Sequence, residues 1–302
     1  MAGSERFQIP LFENLPEHPV NKITFRNLRT PLWTENKAKL VANYLRYFVL
    51  ITRHGCYIDG FAGPKQKELP GSWAAELVIS SQPKFLREFF FCDLDPEKVA
   101  HLNELRDQQP PVKGRRIQIM EGDFNELIYD ILATGLITPK KATFCLIDQF
   151  STECHWQTVE SIARHKADTN KIEIFYFLAS GWLDRALAGF TRNTHIPERW
   201  WGGSEWRNLL RMKSNERAQL FCERFRQELG YKTATPWPIY ERAGGGRVMF
   251  HMIHATDHPE APNLMARAYR NAALPPSDAE QMNLELILQE AGSIATAYEP
   301  EV

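Results

Sequence analysis

The stretch that decides the fold is Cys56-Tyr57-Ile58-Asp59-Gly60-Phe61-Ala62-Gly63-Pro64. It is a short apolar run that stops at an acid and turns on small residues. Working outward, the same design recurs. Glu88-Phe89-Phe90-Phe91-Cys92 ends at Asp93 and leads into Pro96-Glu97-Lys98-Val99, where proline suits a helix start. Arg116-Ile117-Gln118-Ile119-Met120 runs into Gly122-Asp123 and the helical Leu127–Leu132. Ala142–Ile147 ends at Asp148, and Lys171–Leu178 is another near-continuous apolar strand. Short buried strands alternating with helical sequence, with polar residues clustered at the strand ends, imply a mostly parallel sheet covered on both faces. Such sheets bind ligands at the carboxyl ends of their strands, where Asp59, Asp93, Asp123 and Asp148 all fall.

The flanks give the rest of the layout. Residues 1–30, punctuated by Pro and Asn, read as an N-terminal arm. A helix is expected from Thr34, as N-cap, to about Leu50, with Leu40, Val41, Tyr44, Leu45 and Phe48 at helical spacing. Helix-forming sequence also lies around Trp73–Ser80. After Leu178 the alternation breaks into a helical insertion near 183–228, kinked at Trp200-Trp201-Gly202-Gly203. Thr235–Glu241 and Arg247–Ala255 flank Gly244-Gly245-Gly246 and predict a C-terminal antiparallel hairpin. Residues 279–290 predict an acidic amphipathic helix within a 273–302 tail. The expectation is one domain, 31–272, with embellishments.

Composition bounds the function classes. The chain has 302 residues, 36 Lys+Arg against 37 Asp+Glu, and 43% hydrophobic residues, which excludes a wholly disordered protein. No apolar run is long enough for a membrane helix, and the first residues show no secretory pattern, so a cytoplasmic location is expected. The five cysteines form no Cys-x-x-Cys pair, so no metal site is assigned. The near-zero total charge hides a local asymmetry. Residues 21–54 carry seven Lys/Arg against one acid, and residues 182–226 carry nine against five, together with Trp182, Trp200, Trp201 and Trp206. Cations interleaved with aromatics suit a phosphate backbone and stacked bases. The competing reading is a solvated helical face with its tryptophans turned into the core.

The first turn narrows the ligand. Asp59–Pro64 is not a phosphate-cradling P-loop and lacks a full G-x-G-x-x-G fingerprint. An acid at the end of strand one repels a pyrophosphate and suits a cation. S-adenosyl-L-methionine, a sulfonium with an α-amino group and no phosphate, fits that requirement. Gly60, Ala62 and Gly63 let backbone approach its amino-acid part. Asp93 suits ribose hydroxyls, by the logic of dinucleotide folds. Asp123, with Phe124 beside it, suits the adenine.

Several segments resemble the three-Cys-motif partner (TcmP) family. They are Trp33-Thr34-Glu35-x-Lys37, Tyr57–Pro64, Phe91-Cys92-Asp93-Leu94-Asp95-Pro96, Gly122-Asp123-Phe124-Asn125-Glu126 and Gly203-x-Glu205-Trp206, within roughly residues 31–270. The resemblance implies a Rossmann-like class I methyltransferase fold, α/β with a mostly parallel seven-stranded sheet, and S-adenosyl-L-methionine as cofactor. It places Asp59, Gly60, Ala62 and Gly63 on the methionine part, Asp93 at the ribose, and Asp123 with Phe124 at the adenine, and counts Phe61 and Leu94 among the cofactor-binding residues. Thr34 and Lys37 match a pre-strand motif that reaches the cofactor carboxylate. The chain departs from the pattern twice. Lys65 stands where glycine completes D-x-F-A-G-P-G, and Asp148-Gln149-Phe150-Ser151 stands where the pattern resembles D-P-F-G.

Two functions follow as expectations. One is a methyltransferase acting on nucleic acid by direct displacement, with Asp148 and Phe150 orienting the acceptor and residues 21–54 and 182–226 forming the binding faces. The other is a methyltransferase-fold protein that has lost efficient chemistry and serves as partner to another protein. Lys65, Gln149 and the acidic C-terminal helix favour the second.

Overall fold

The structure is a computed structural model that describes residues 36–65, 72–166, 169–242 and 245–273. The N-terminal arm, Thr34 and the acidic helix at 279–290 lie outside the described residues.

The apolar runs form the strands that the pattern implies, the first four of them stopping at or just before an acid. They are β1 (Gly55–Asp59), β2 (Leu86–Asp93), β3 (Arg116–Glu121), β4 (Thr143–Ile147) and β5 (Glu173–Leu178). A hairpin, β6 (Thr233–Arg242) and β7 (Gly245–Thr256), completes a seven-stranded sheet in the order β3-β2-β1-β4-β5-β7-β6. The first five strands are mutually parallel; β7 runs antiparallel to both β5 and β6. This is a Rossmann-like α/β arrangement, and the strand order reverses between β1 and β4.

β1, β4 and β5 are buried along their whole length, which explains why they read as continuous apolar runs rather than alternating ones. Successive residues feed two cores. Tyr57, Phe89, Phe91, Phe144, Phe175 and Phe177 pack beneath α1 (Lys37–Thr52), α2 (Ala74–Ser80) and α9 (Ala261–Ala273). Ile58, Phe90, Cys145, Ile147 and Tyr176 face the opposite layer. That layer holds α4 (Phe124–Ala133), α5 (Trp156–Arg164), α6 (Leu183–Gly189) and α8 (Ser214–Gln227). Each such aromatic or branched side chain contributes about 1.5–3 kcal/mol by leaving water. α3 (Pro96–Asp107) starts where its proline implies, with Asp95 accepting from the Glu97 amide at 3.0 Å as its cap.

The insertion contains α6, α7 (His195–Trp201), a 3-10 helix (Ser204–Arg211) and α8. Here one expectation is corrected. Trp200, Trp201 and Trp206 are core residues, at 0%, 7% and 2% exposure, so they offer no ring face to a stacked base. Trp200 donates to the Tyr176 hydroxyl at 2.8 Å and packs on Phe221. Two of the cations are also committed. Arg224 lies over the Trp156 and Trp201 rings and pairs with both carboxylate oxygens of Glu228, and buried Arg217 pairs with Asp184. A tryptophan buries up to about 250 Å², so the core competes for it more strongly than a solvated face does. The 21–54 face is corrected in the same way where it is described. Lys37 is buried and Arg46 half-buried, leaving Lys39 and Arg53 exposed.

Among the described residues no helix is long and apolar enough to cross a membrane.

Candidate cofactor and acceptor cleft

The cleft is built at the carboxyl ends of β1, β2 and β4. Asp59, the last residue of β1, is almost fully buried. It accepts from the Tyr57 hydroxyl at 3.1 Å and from the Phe61 amide at 3.2 Å. Burial, with the charge of Asp148 acting in the same sense, pushes its carboxyl up to about 7 despite those two hydrogen bonds. Asp59 is thus an acid short of positive charge.

The turn after it is pinned to its neighbours. The Gly60 amide donates to the Leu146 carbonyl at 3.1 Å and the Ala62 amide to the Cys92 carbonyl at 2.8 Å. The Gly63 amide donates to Asp93 Oδ2 at 2.9 Å. Glycine is required at two of these positions by close approach. A Cβ on Gly60 would stand 2.5 Å from the Phe124 ring, and one on Gly63 would stand 2.5 Å from Asp93 Oδ2. Trp73 Nε1 donates to the Ala62 carbonyl at 2.6 Å and braces the turn from the side of α2.

Asp93, at the end of β2, also accepts from the Asp95 amide at 3.0 Å, and Lys98 Nζ stands 3.9 Å away. Each of its oxygens has one donor here and keeps a further lone pair. Leu94 beside it is 70% exposed, an uncovered apolar wall. Asp123 sits at the N-cap of α4, where Oδ1 accepts from the Asn125 amide at 2.9 Å and from Asn125 Nδ2 at 2.8 Å. The Phe124 ring is buried, edge-on to Phe61 with centroids 5.9 Å apart. Asn125, which stands in the Gly122–Glu126 segment without an assigned role, acts as a brace. Its Oδ1 accepts from the His155 amide and the Thr158 hydroxyl, both at 2.7 Å, tying the third turn to the start of α5.

The fourth turn, expected to orient an acceptor, lies after β4. Asp148 is held between two lysines: Lys37 Nζ, from the first residue of α1, donates to Oδ1 at 2.5 Å, and Lys65 Nζ stands 2.7 Å from Oδ2. Lys65 also donates to the Asp148 carbonyl at 2.7 Å, so this side chain spans the mouth between the first and fourth turns. Burial works to raise the Asp148 carboxyl, but the two ammonium groups outweigh it and hold it below the usual range. Lys37 is buried over the Phe177 and Phe250 rings, 4.3 and 3.8 Å from their centroids. Desolvation, with Lys65 adding to it and Asp148 opposing, lowers its ammonium to about 7.

The structure brings Lys37, Asp59 and Asp148 into one electrostatic cluster and gathers Asp93, Leu94 and Gly63 beside it. Phe150 is 67% exposed and tilted against Trp182, with centroids 5.2 Å apart. Gln149, standing where the related pattern has proline, is turned fully inward. Its Oε1 accepts from the Cys154 amide at 2.9 Å, while its Nε2 is buried with no partner among the described residues. The rigidity that proline would give this turn comes instead from an anchored amide.

No protein-family model matches the sequence, and no curated protein matches it. Among solved structures the chain is similar to protein LPL1258 of Legionella pneumophila, described under the family designation DUF519. The identity is 11% and the TM-score 0.42, over 77% of this chain and 90% of that one. A likeness at that level carries no argument about chemistry.

Proposed function

We propose that this chain is an S-adenosyl-L-methionine-dependent methyltransferase of the class I kind, related to the three-Cys-motif partner proteins. We further propose that residues 31–272 form its methyltransferase-like domain, with a helical insertion near 183–228. The observation that carries the reading is the pair Asp59 and Asp93. They stand at the carboxyl ends of adjacent parallel strands, beside the point where the strand order reverses, and the Gly63 amide is pinned to the second of them.

The residues fit such a cofactor. Asp59, buried and short of positive charge, gains an opposite charge from an ammonium or sulfonium group, and its carboxyl then ionises. Asp93 keeps acceptor capacity for ribose hydroxyls, and exposed Leu94 offers an apolar wall for a purine. Lys37 is placed to hold a carboxylate once Asp148 releases it. When bound, the cofactor supplies an electrophilic methyl group, and the protein's part is to orient the acceptor and exclude water. Asp148 would accept a hydrogen bond from an acceptor amine, with Phe150 stacked on a planar ring beside it. Nucleic acid is the acceptor class proposed. Its support is now the exposed Phe150 and the exposed cations Arg185, Arg192, Arg199, Arg207, Arg211 and Lys213, not the buried tryptophans.

The test is transfer of labelled methyl from S-adenosyl-L-methionine to DNA and RNA oligonucleotides. Incorporation that Asp148→Ala and Phe150→Ala each reduce by about tenfold or more supports the reading. Incorporation unaffected by either variant removes the acceptor assignment. A second reading is favoured by one specific contact, the Lys65 bridge to Asp148, which occupies the groups that the acceptor needs. On that reading the protein binds the cofactor but transfers no methyl group, and acts as partner to another protein.

A further inference from the structure

At the opposite, amino edge of the sheet lies a partly enclosed cavity of about 200 Å³, which the chemistry above does not use. Its apolar wall is formed by Phe48 and Ile51 of α1, Pro139 ahead of β4 and Leu264 of α9. About 150 Å³ is enough for a benzene ring in a protein interior, so one aromatic ring with a small substituent fits this space.

The charges around it are not balanced. Both acids of the lining are saturated by donors from the protein. Glu173 accepts from the Tyr44 hydroxyl, from His254 Nε2 at 2.8 Å and from the Thr256 hydroxyl at 3.1 Å. Asp257 accepts from the Lys171 amide and ammonium at 3.2 and 3.3 Å and from the Lys232 amide at 3.0 Å. Two lining cations, Lys166 and Lys140, pair with no acid among the described residues. Lys166, 5% exposed, donates to the neutral Lys141 carbonyl at 2.6 Å and has no carboxylate partner among the described residues, and burial lowers its ammonium from the ordinary range. Lys140 is exposed at the rim. His54, also lining the cavity, is held below its ordinary range by burial and then by the charges of Lys141 and Lys166, although Glu88 stands 3.4 Å from Lys141. An apolar slot of ring size with three nitrogen groups at its rim is the complement of an aryl carboxylate.

We propose that this cavity binds a small organic anion of the aryl carboxylate class, its ring against Phe48, Ile51, Pro139 and Leu264 and its carboxylate among Lys140, Lys166 and His54. The site is independent of the methyltransferase reading, since it lies at the other end of the strands and shares no residue with the cleft.

The experiment is calorimetric titration of phenylacetate into the full chain, with 2-phenylethanol as the uncharged ring and inorganic phosphate as the ring-free anion. The His54 ring resonances are followed by NMR against pH in parallel. The expected result is saturable binding of one phenylacetate per chain, with both controls weaker by about tenfold or more. Phenylacetate should also raise the His54 titration midpoint. Lys140→Glu, a change at an exposed position, should weaken phenylacetate by about tenfold while leaving the thermal midpoint in place. Leu264→Trp, which fills the apolar half, should abolish binding. Three results would overturn the proposal: no saturable binding below about 10 mM, equal binding by either control, or an unmoved His54 midpoint together with full affinity in Lys140→Glu.

Discussion

Two buried carboxylates sit at opposite edges of this sheet, and their surroundings are opposite too. Glu173, at the first residue of β5, is held by three side-chain donors from two elements, Tyr44 of α1 and His254 and Thr256 of β7. Asp59, at the last residue of β1, has one hydroxyl and one amide, faces a second acid, and is pushed up to about 7 chiefly by burial. The first acid ties α1, β5 and β7 together. The second stands in the fold with its electrostatics incomplete, the condition in which a cationic ligand is most strongly drawn. The two acids differ in how far the protein itself has satisfied each one, and that difference is what supports the proposed site at Asp59.

Removing the saturated acid breaks the comparison most severely. Glu173→Ala leaves the Tyr44 hydroxyl and His254 buried without a partner and is expected to cost about 3–5 kcal/mol in denaturant unfolding. A loss below about 1 kcal/mol would place Glu173 outside the structural group. The aromatic residues offer a parallel contrast. Trp200→Ala should cost about 3–5 kcal/mol, because the ring is fully buried against Phe221 and Tyr176. Phe150→Ala, at an exposed ring, should stay within about 0.5 kcal/mol while reducing methyl transfer.

Asp59 sharpens the contrast through pH. Its carboxyl rises from 3.8 to about 7 on folding, so between those values the folded state holds a proton that the unfolded state has lost. Its contribution is therefore fully present below the unfolded value and is lost as pH rises through about 7. Asp59→Asn should flatten a fall in stability that reaches about 1.4 kcal/mol per pH unit at most. An identical slope in the variant would mean that Asp59 is already ionised. The smallest effect is expected at Lys65, whose side chain is 47% exposed. Lys65→Gly should change stability by no more than about 1 kcal/mol and raise cofactor affinity by up to about fivefold.

Strands and their terminal acids were legible because each turn couples an apolar run to a polar stop, a strictly local signal. α9 was not read, because five of its seven buried positions are alanines, which give little hydrophobic contrast. For the insertion's tryptophans the sequence leaves two readings open, because charge and aromatic counts carry no information about which way a ring turns, and the structure decides for the core. Glu173 was hidden inside the run Lys171–Leu178, and its partners Tyr44 and His254 lie 129 and 81 residues away in sequence. At the site, Asp59, Asp93 and Asp148 could be marked from the sequence alone. The bridge from Lys65 to Asp148 depends on the fold bringing together turns 83 residues apart.

The most direct test of the account is calorimetric titration of S-adenosyl-L-methionine and of its demethylated product into the wild type, Asp93→Ala and Lys65→Gly. The account predicts micromolar binding to the wild type, loss of binding in Asp93→Ala, and binding at least as tight in Lys65→Gly. Absence of saturable binding in both the wild type and Lys65→Gly would contradict it.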